Sequence, residues 1–409
     1  MKILITAYAC EPYRGSEAGT AWNIVCRLAA THEVTVVTRA NNSGVIDKYL
    51  IENSIPRLSF LYVDPPNWTL CLKKLGLLTV QLFYFLWQLA VTTRLQKEFR
   101  RQTYDVYHHI SFNSFEVPPF SALFIGQTPF VWGPVGGGQT VSVNMLNWFG
   151  TKGKLIEVLR NFRVQISAYN PLCILVLKKA HLVYFANQET QELLARWCGG
   201  RHEMMIDVGV DITKFSDKDQ KKKTGDITQI LFAGSIEPRK GGALLLSAMS
   251  RLKQINNRFV CKIVGDGPDK SALEKSSELL GLEKNVIFMG RVSHDEMNRV
   301  FSEADVFTFP SLRDTSGAIV LEAMAMEIPT VCIDHQGAAI MVDKTSGLKI
   351  APDSPDKMAE AIAVAISSLM EDDVICKKMG IAARERVTQE YDWSVRVQRT
   401  DEDYQELVC

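Results

Sequence analysis

The sequence has 409 residues, 46 % of them hydrophobic and 22 % charged, with 46 Lys plus Arg set against 46 Asp plus Glu. A chain of this length outgrows a single core and reads as two domains, and its balanced charge supplies no global field to draw it onto nucleic acid or anionic lipid. The nine cysteines are scattered, odd in number and never in a C-x-x-C pair, which speaks against a disulfide framework and a zinc site and suits a reducing cytoplasm.

The chain enters an apolar run at once, without the apolar stretch and cleavage site of a signal peptide, so residues 2–6 are predicted as a first buried strand. A helix over 18–30 and strands over 33–38, 58–63, 106–108 and 130–132 follow. Apolar, β-branched strands separated by helices are the pattern of βαβ units and a parallel sheet. Residues 75–93 carry no charge over about one membrane thickness and follow Lys73 and Lys74, but Gln81 and Gln88 interrupt them. A buried or interfacial helix is the expectation, with a membrane-dipping helix and a span as alternatives. Residues 217–226 are charged and lack apolar periodicity, as in a linker. The alternation then restarts, with strands over 229–233, 259–264, 286–289 and 306–309 and helices over 241–254, 270–280, 295–304 and 317–326. The expected class is α/β, with two doubly wound parallel-sheet domains, and a ligand belongs at the carboxyl ends of their strands or between them.

The most informative stretch is 310–329. A strand ends at Pro310, a polar loop follows, and Ser316-Gly317 opens a helix whose free N–H groups and dipole favour a phosphate. Asp314 on the loop and Glu322 about one and a half turns into the helix can reach different parts of one ligand. Taken alone, an Asp and a Glu near a helix start read more readily as caps and surface charges.

The segment does not stand alone, and the chain resembles the family-4 glycosyltransferases. Their second domain carries an E-x7-E element with an Ala-Met-Ala-like tail, matched here by Asp314 to Glu322 with Asp in the first place. The resemblance implies that Glu322 binds the nucleotide ribose and Asp314 the transferred sugar. The family's Gly-Arg-x4-Lys-Gly becomes Gly234-Ser-Ile-Glu-Pro-Arg-Lys240-Gly241, so Lys240 takes the place of the diphosphate-binding lysine, Ser235 replaces the arginine, and Arg239 stands near but out of register. Val264-Gly265-Asp266-Gly-Pro268, the Gly290-Arg291 pair, 304–310 and Gln336-Gly337 fall in family order, and 206–215 resembles the family's interdomain Gly-Val-Asp-x3-Phe. Two glycines around Asp266 suit a βα turn as well as an approaching base.

In the first half, Arg14-Gly-Ser-Glu-Ala-Gly19 follows the first strand and opens a helix, without being a dinucleotide fingerprint or a P-loop. The resemblance makes Gly15, Ser16 and Gly19 donor-phosphate contacts. His108 and His109 end a strand, where alternation sends them to opposite faces; the resemblance implies a histidine here that contacts the donor sugar, and His109 is the candidate. Gly137, from Trp132-Gly-Pro-Val-Gly-Gly-Gly138, leaves another strand with its backbone free to approach the donor, and the segment on to Asn147 would cover the acceptor. Tyr391-Asp-Trp393 resembles the point where such chains cross back onto the first domain, with Trp393 a packing residue.

The resemblance thus implies a GT-B fold, two Rossmann-like domains facing a cleft, divided as 1–205, 206–388 and a returning helix at 389–409. It implies a retaining glycosyltransferase taking a nucleoside-diphosphate sugar to a glycan or lipid-linked glycan, without metal or other cofactor, as in bacterial surface-polysaccharide assembly. The place expected is the cytoplasm, with peripheral contact at the inner membrane as an open reading and no nucleic-acid partner. A sugar-nucleotide epimerase and a catalytically degenerate nucleotide-sugar binder are the alternatives.

Overall fold

The computed structural model describes residues 1–76, 78–215 and 227–409; the run 217–226 and the side chains of Ser16, His294 and Asp295 lie outside the described residues. Contacts divide the chain into two compact units. The first holds Met1–Gly138, Phe162–Val208 and Trp393–Cys409, and the second Gln139–Asn161 and Gly209–Asp392. The segment 139–161 therefore packs with the second unit, which nothing in the periodicity of the sequence announces.

The first unit is built on seven strands: β1 (Lys2–Ala7), β2 (Glu33–Thr38), β3 (Leu58–Tyr62), β4 (Val106–Ser111), β5 (Phe130–Val135), β6 (Leu182–Phe185) and β7 (Arg201–Met204). They pair in parallel in the order β3-β2-β1-β4-β5-β6-β7, with Ile3 beside Val34 and Val106. Alternation splits their side chains between two cores, Leu4, Val37, Tyr107 and Trp132 on one face and Ile3, Ile5, Val36 and Val131 on the other. That double burial is why the strands read as continuous apolar runs.

The apolar stretch beginning at residue 75 becomes the helix Val80–Phe99, capped by Thr79, whose Oγ1 accepts the Leu82 N–H at 3.2 Å. It buries Phe83, Tyr84, Trp87, Val91 and Leu95, the spacing of one helical face. Gln88, which interrupts the run, is also inside and donates to Tyr84 Oη at 2.6 Å. Among the described residues no helix is long and apolar enough to cross a membrane. The helix Trp393–Val408 completes this unit: Trp393, Val397 and Tyr404 enter its core, and the Arg396 guanidinium donates to the carbonyls of Ile206 and Val208.

The second unit has six parallel strands, β8 (Thr228–Ala233), β9 (Phe259–Val264), β10 (Val286–Gly290), β11 (Val306–Phe309), β12 (Thr330–Ile333) and β13 (Gly347–Ile350), in the order β10-β9-β8-β11-β12-β13. Helices Gly242–Ile255 and Pro355–Glu371 bury Leu245, Met249, Ile362 and Ile366 in one core with the strands, and Val141, Met145 and Leu146 from the inserted segment join it. In both units the order runs 3-2-1-4-5-6 from the edge, so each has one place where successive crossovers diverge, between β1 and β4 and between β8 and β11. Ligands of open α/β sheets bind outside the carboxyl ends of the strands at such a point.

Candidate functional site

At the β8/β11 divergence the loops leaving the two strands are sewn together. The N–H groups of Leu312 and Arg313 donate to the Arg239 carbonyl at 2.8 and 3.2 Å, and Ser311 Oγ donates to it at 3.2 Å. Gly241, at φ 74°, lies so close to Pro310 that any Cβ would overlap its carbonyl, so the seam closes only on glycine.

On this seam Lys240 Nζ bonds Asp314 Oδ2, and Arg239 Nη1 stands 3.7 Å from Asp314 Oδ1. Arg239 Nε also holds Glu237 at 2.7 Å, and the Lys240 ammonium lies 5.6 Å from the centre of the Phe309 ring. The Lys240 and Asp314 side chains are only 14 % and 17 % exposed, so water screens them weakly. Two cations face the two carboxylates of Asp314 and Glu237, a balanced, partly desolvated set in which a phosphate that displaces Asp314 gains charge-assisted hydrogen bonds. Arg239, out of register in the sequence, thus brings a guanidinium to the carboxylate that Lys240 holds, while Ser235 supplies none.

Gly317, at φ 83°, turns the chain into the helix Ala318–Ala325 with the Phe309 ring where its Cβ would be. No side chain caps that helix start, and Ser316 just before it is buried. Glu322 lies on the same helix, partly buried. Its carboxylate makes no hydrogen bond or ion pair with any described residue, and burial alone pushes it up to about 7. A carboxylate withdrawn from water without a partner is an acceptor still waiting for donors.

The loop 311–315 is held by Gln336, already noted in family order, and by residues that the sequence did not single out. Gln336, a non-glycine residue at φ 55°, accepts the Asp314 N–H on Oε1 at 2.6 Å and donates from Nε2 to the Thr140 carbonyl at 3.1 Å. Such a backbone costs about 1–3 kcal/mol and persists where its surroundings demand it. Arg313 makes a two-pronged pair with the buried Glu157 at 3.0 Å on each side, and Gln139 Nε2 donates to Thr315 Oγ1 at 2.8 Å. His335 donates from Nε2 to the Ser311 carbonyl at 2.8 Å. The strand-and-helix pattern carries no trace of these ties, because each reaches the loop through a single side chain.

Gly234, Ser235, Gly265 and Asp266 lie at the ends of the neighbouring strands β8 and β9. The Gly234 N–H donates to Val264 at 3.0 Å, the Gly265 N–H to Gly290 at 2.8 Å, and the Ile236 N–H to the Asp266 carbonyl at 3.0 Å. The Asp266 side chain stays half exposed, 3.8 Å from Arg291.

The β1/β4 divergence of the first unit gathers Gly15, Gly19 and a cluster missed in the sequence. Gly15 precedes the helix Ser16–Leu28, which no side chain caps. From its first turn Glu17 Oε1 accepts the Asn113 N–H at 2.9 Å; Asn113 Nδ2 donates to Asp207 at 2.7 Å, and burial raises the Glu17 carboxyl. Gly137, after β5, packs against Ser114. Nearby Arg39 holds Asp64 at 3.4 Å, with its guanidinium 5.1 Å from the Tyr8 ring centre, and Lys73 Nζ lies 4.2 Å from that of Phe83.

His109 is where the structure departs from the expected role. Both histidines are buried on opposite faces, as alternation requires. The His109 ring lies between Thr6 Oγ1 at 2.6 Å and Tyr84 Oη at 2.9 Å, and the His108 ring between Tyr404 Oη at 2.5 Å and the Gly133 carbonyl at 2.8 Å. Burial pushes them down to about 3 and about 4, so both are neutral, and neither ring has a nitrogen left for a sugar hydroxyl.

The model of the glycosyl transferases group 1 matches residues 213–386, the span holding the seam and Glu322. The chain is 30 % identical over 229 residues to the phosphatidyl-myo-inositol mannosyltransferase of Mycolicibacterium smegmatis, covering 54 % of this chain and 57 % of that one. It is 28 % identical over 207 residues to a GDP-mannose-dependent monoacylated alpha-(1-6)-phosphatidylinositol monomannoside mannosyltransferase of Corynebacterium glutamicum, covering 47 % and 53 %. The chain thus matches about half the length of these curated relatives. In fold it is similar over 100 % of its length to 99 % of a sucrose-phosphate synthase from Thermosynechococcus elongatus, with TM-score 0.68 and 18 % identity. It is also similar over 99 % of its length to the whole of Anabaena HepE in complex with UDP, with TM-score 0.65 and 18 % identity. The chain thus combines two parallel-sheet units of the GT-B kind with a second half, residues 213–386, that is similar to the glycosyl transferases group 1.

Proposed function

We propose that this protein is a retaining glycosyltransferase that moves a hexose-type sugar from a nucleoside-diphosphate sugar to a glycan or lipid-linked glycan acceptor, in the cytoplasm and in the service of surface-polysaccharide synthesis. The observation that carries the reading is the partnerless carboxylate of Glu322 on the helix that follows the Lys240–Asp314 seam. Glu322 accepts the ribose hydroxyls, and the diphosphate takes Lys240 and Arg239 together with the uncapped start of Ala318–Ala325. As the phosphate displaces Asp314 from its two cations, that carboxylate becomes available to a sugar hydroxyl. Charge growing on the departing diphosphate is met by groups already in place, and the acceptor hydroxyl attacks from the face the diphosphate leaves, without an enzyme nucleophile. The reading includes no metal or other cofactor and gives His109 no part in the reaction. Glu17 and Asn113 frame the acceptor side in the first unit.

The test is a thermal-shift and calorimetric panel of GDP, UDP, ADP and their sugar conjugates against wild type and Glu322→Ala. Selective stabilisation by one nucleotide, lost in the variant, names the base, because a ligand bound only by the native state stabilises it. A folded wild type that responds to none of them refutes the site. A second reading, a nucleotide-sugar binder without turnover, is favoured by the mutual neutralisation of Lys240 and Asp314 and by Ser235 in place of the family's arginine. Binding without sugar transfer to any glycan or lipid-linked acceptor would select it. Conversion of the donor with no acceptor present would select an epimerase.

A further inference from the structure

Tyr8, Arg39 and Asp64 stand just past the carboxyl ends of β1, β2 and β3, three neighbouring strands of the first unit. Open parallel sheets take their ligands on that rim. The Arg39 guanidinium lies 5.1 Å from the Tyr8 ring centre and 4.9 Å from that of Phe83, and its Nε donates to Asp64 Oδ1 at 3.4 Å. Tyr8 is itself fixed edge-on against the buried Tyr84 ring, with centres 5.3 Å apart. The Arg39 and Asp64 side chains are only 12 and 18 % exposed, so aromatic packing and one ion pair already hold this guanidinium in place.

Lys73 is not settled in the same way. It lies in the helix Asn67–Lys74 next to the exposed Lys74, and of the two it is the one turned inward. Its Nζ stands 4.2 Å from the Phe83 ring centre and 3.4 Å from Tyr8 Oη, and it forms no ion pair with any described residue. Burial, and then repulsion from Arg39, holds the ammonium below the usual lysine range, against the weaker pull of Asp64. A lysine stem is long enough to carry its charge out to water. An ammonium kept instead beside a second cation leaves a place for a negative group. Arg39 and Lys73 together set two positive charges against the single carboxylate of Asp64. Glu17, whose charge also reaches Tyr8, has its own partner in the Asn113 N–H at 2.9 Å, and the charges acting on Lys73 are those of Arg39 and Asp64.

We propose that Arg39 and Lys73 form an anion subsite on the acceptor side of the first unit, which receives a carboxylate or phosphate carried by the sugar acceptor. A guanidinium already fixed against two rings loses little freedom when an anion arrives, and the ammonium adds a second charge-assisted hydrogen bond. Such a subsite selects glycans that bear uronic acids or phosphosugars over neutral ones. The proposal rests on the reading of the first unit as the acceptor side, but not on the identity of the donor.

The test is calorimetric titration of the full chain, without nucleotide, with glucuronate, glucose 1-phosphate and glucose as probes. The expected result is binding of at least one anionic sugar and none of glucose, and the anion that binds more tightly names the group. Lys73→Gln should lose about tenfold of that affinity, the range for a hydrogen bond to a charged group. Lys73→Arg should keep it, and Lys240→Gln should leave it unchanged, which separates this subsite from the seam of the second unit. Lys73 has no ion-pair partner, so Lys73→Gln should melt with the wild type and bind the cognate nucleotide as well as the wild type does. Glucose bound as tightly as the anionic sugars overturns the proposal, and so does an anion affinity that Lys73→Gln leaves intact, or no binding of either anion. A nucleotide affinity that falls in Lys73→Gln overturns it too, by giving Lys73 to the donor. A wild type that binds anionic sugars through Lys73 but responds to no nucleotide upholds the subsite and refutes the Glu322 site instead.

Discussion

Replacing Glu322 by Gln separates what the carboxylate costs the fold from what it offers a ligand. Burial raises its pKa from 4.5 to about 7, which corresponds to about 3 kcal/mol of unfavourable free energy when the group is ionised in the native state. Because the folded pKa lies above the unfolded one, the native protein binds the extra proton between these values. The penalty is therefore absent near pH 4.5, grows as pH rises toward 7 and is complete above it. Glutamine keeps the shape and removes the charge. At pH 8 Glu322→Gln should be more stable than wild type by about 1–3 kcal/mol, or about 5 °C in Tm for a unit of this size, and at pH 4.5 the difference should vanish. The same variant should lose about 10- to 100-fold in affinity for the cognate nucleotide, the range for hydrogen bonds to a charged acceptor. Urea unfolding across pH 4.5–8 with calorimetric titration of the nucleotide reads both. A variant less stable than wild type at pH 8, or a difference independent of pH, would refute the reasoning.

Asp314→Asn frees Lys240 and Arg239 from their carboxylate, so bare nucleoside diphosphate should bind about 3- to 10-fold more tightly while sugar transfer falls at least tenfold; calorimetry and product assay check the two halves. Arg313→Ala strands Glu157 in a buried place and should cost about 3 kcal/mol, whereas Arg313→Ala/Glu157→Gln recovers most of it in a chemical-denaturation double-mutant cycle. Gly241→Ala combines a Cβ–carbonyl overlap with a left-handed backbone and should lower stability by about 2–4 kcal/mol, visible as a drop in Tm. The ring carbons of His108 and His109 should show no titration between pH 5 and 8 by NMR, since both rings stay neutral. Their depressed pKa values make the stability they hold fall only as pH drops below about 6.5.

The sequence revealed the doubly wound units because strands buried on both faces are apolar along their whole length, as in Ile3–Ile5 and Val34–Val37. The strands β6, β7, β12 and β13 were not predicted, although β11, equally short, was. The motif around Lys240, Asp314 and Glu322 was legible only through its resemblance to the family-4 glycosyltransferases, and the structure sets Lys240 and Asp314 in contact. Arg239 was harder to read, because its part depends on a backbone seam with Leu312 and Arg313 rather than on register. His109 misled, because a histidine at a strand end looks the same in sequence whether its ring meets solvent or Thr6 and Tyr84. The role of 139–161 was illegible for a related reason: Gln139, Glu157 and Gln336 act across long separations, through single contacts that leave no pattern of their own.

The helix Trp393–Val408 has a consequence for the order in which the protein matures. The second unit is complete once residue 392 has been made, but the first still lacks Arg396 for the carbonyls of Ile206 and Val208, Tyr404 for His108 and Asp403 for Tyr184. As the chain leaves the ribosome, the half that is translated first is closed last, and until then it shows chaperones an open flank. A stop codon just before Arg396 would therefore injure the amino-terminal unit and spare the one next to the missing piece.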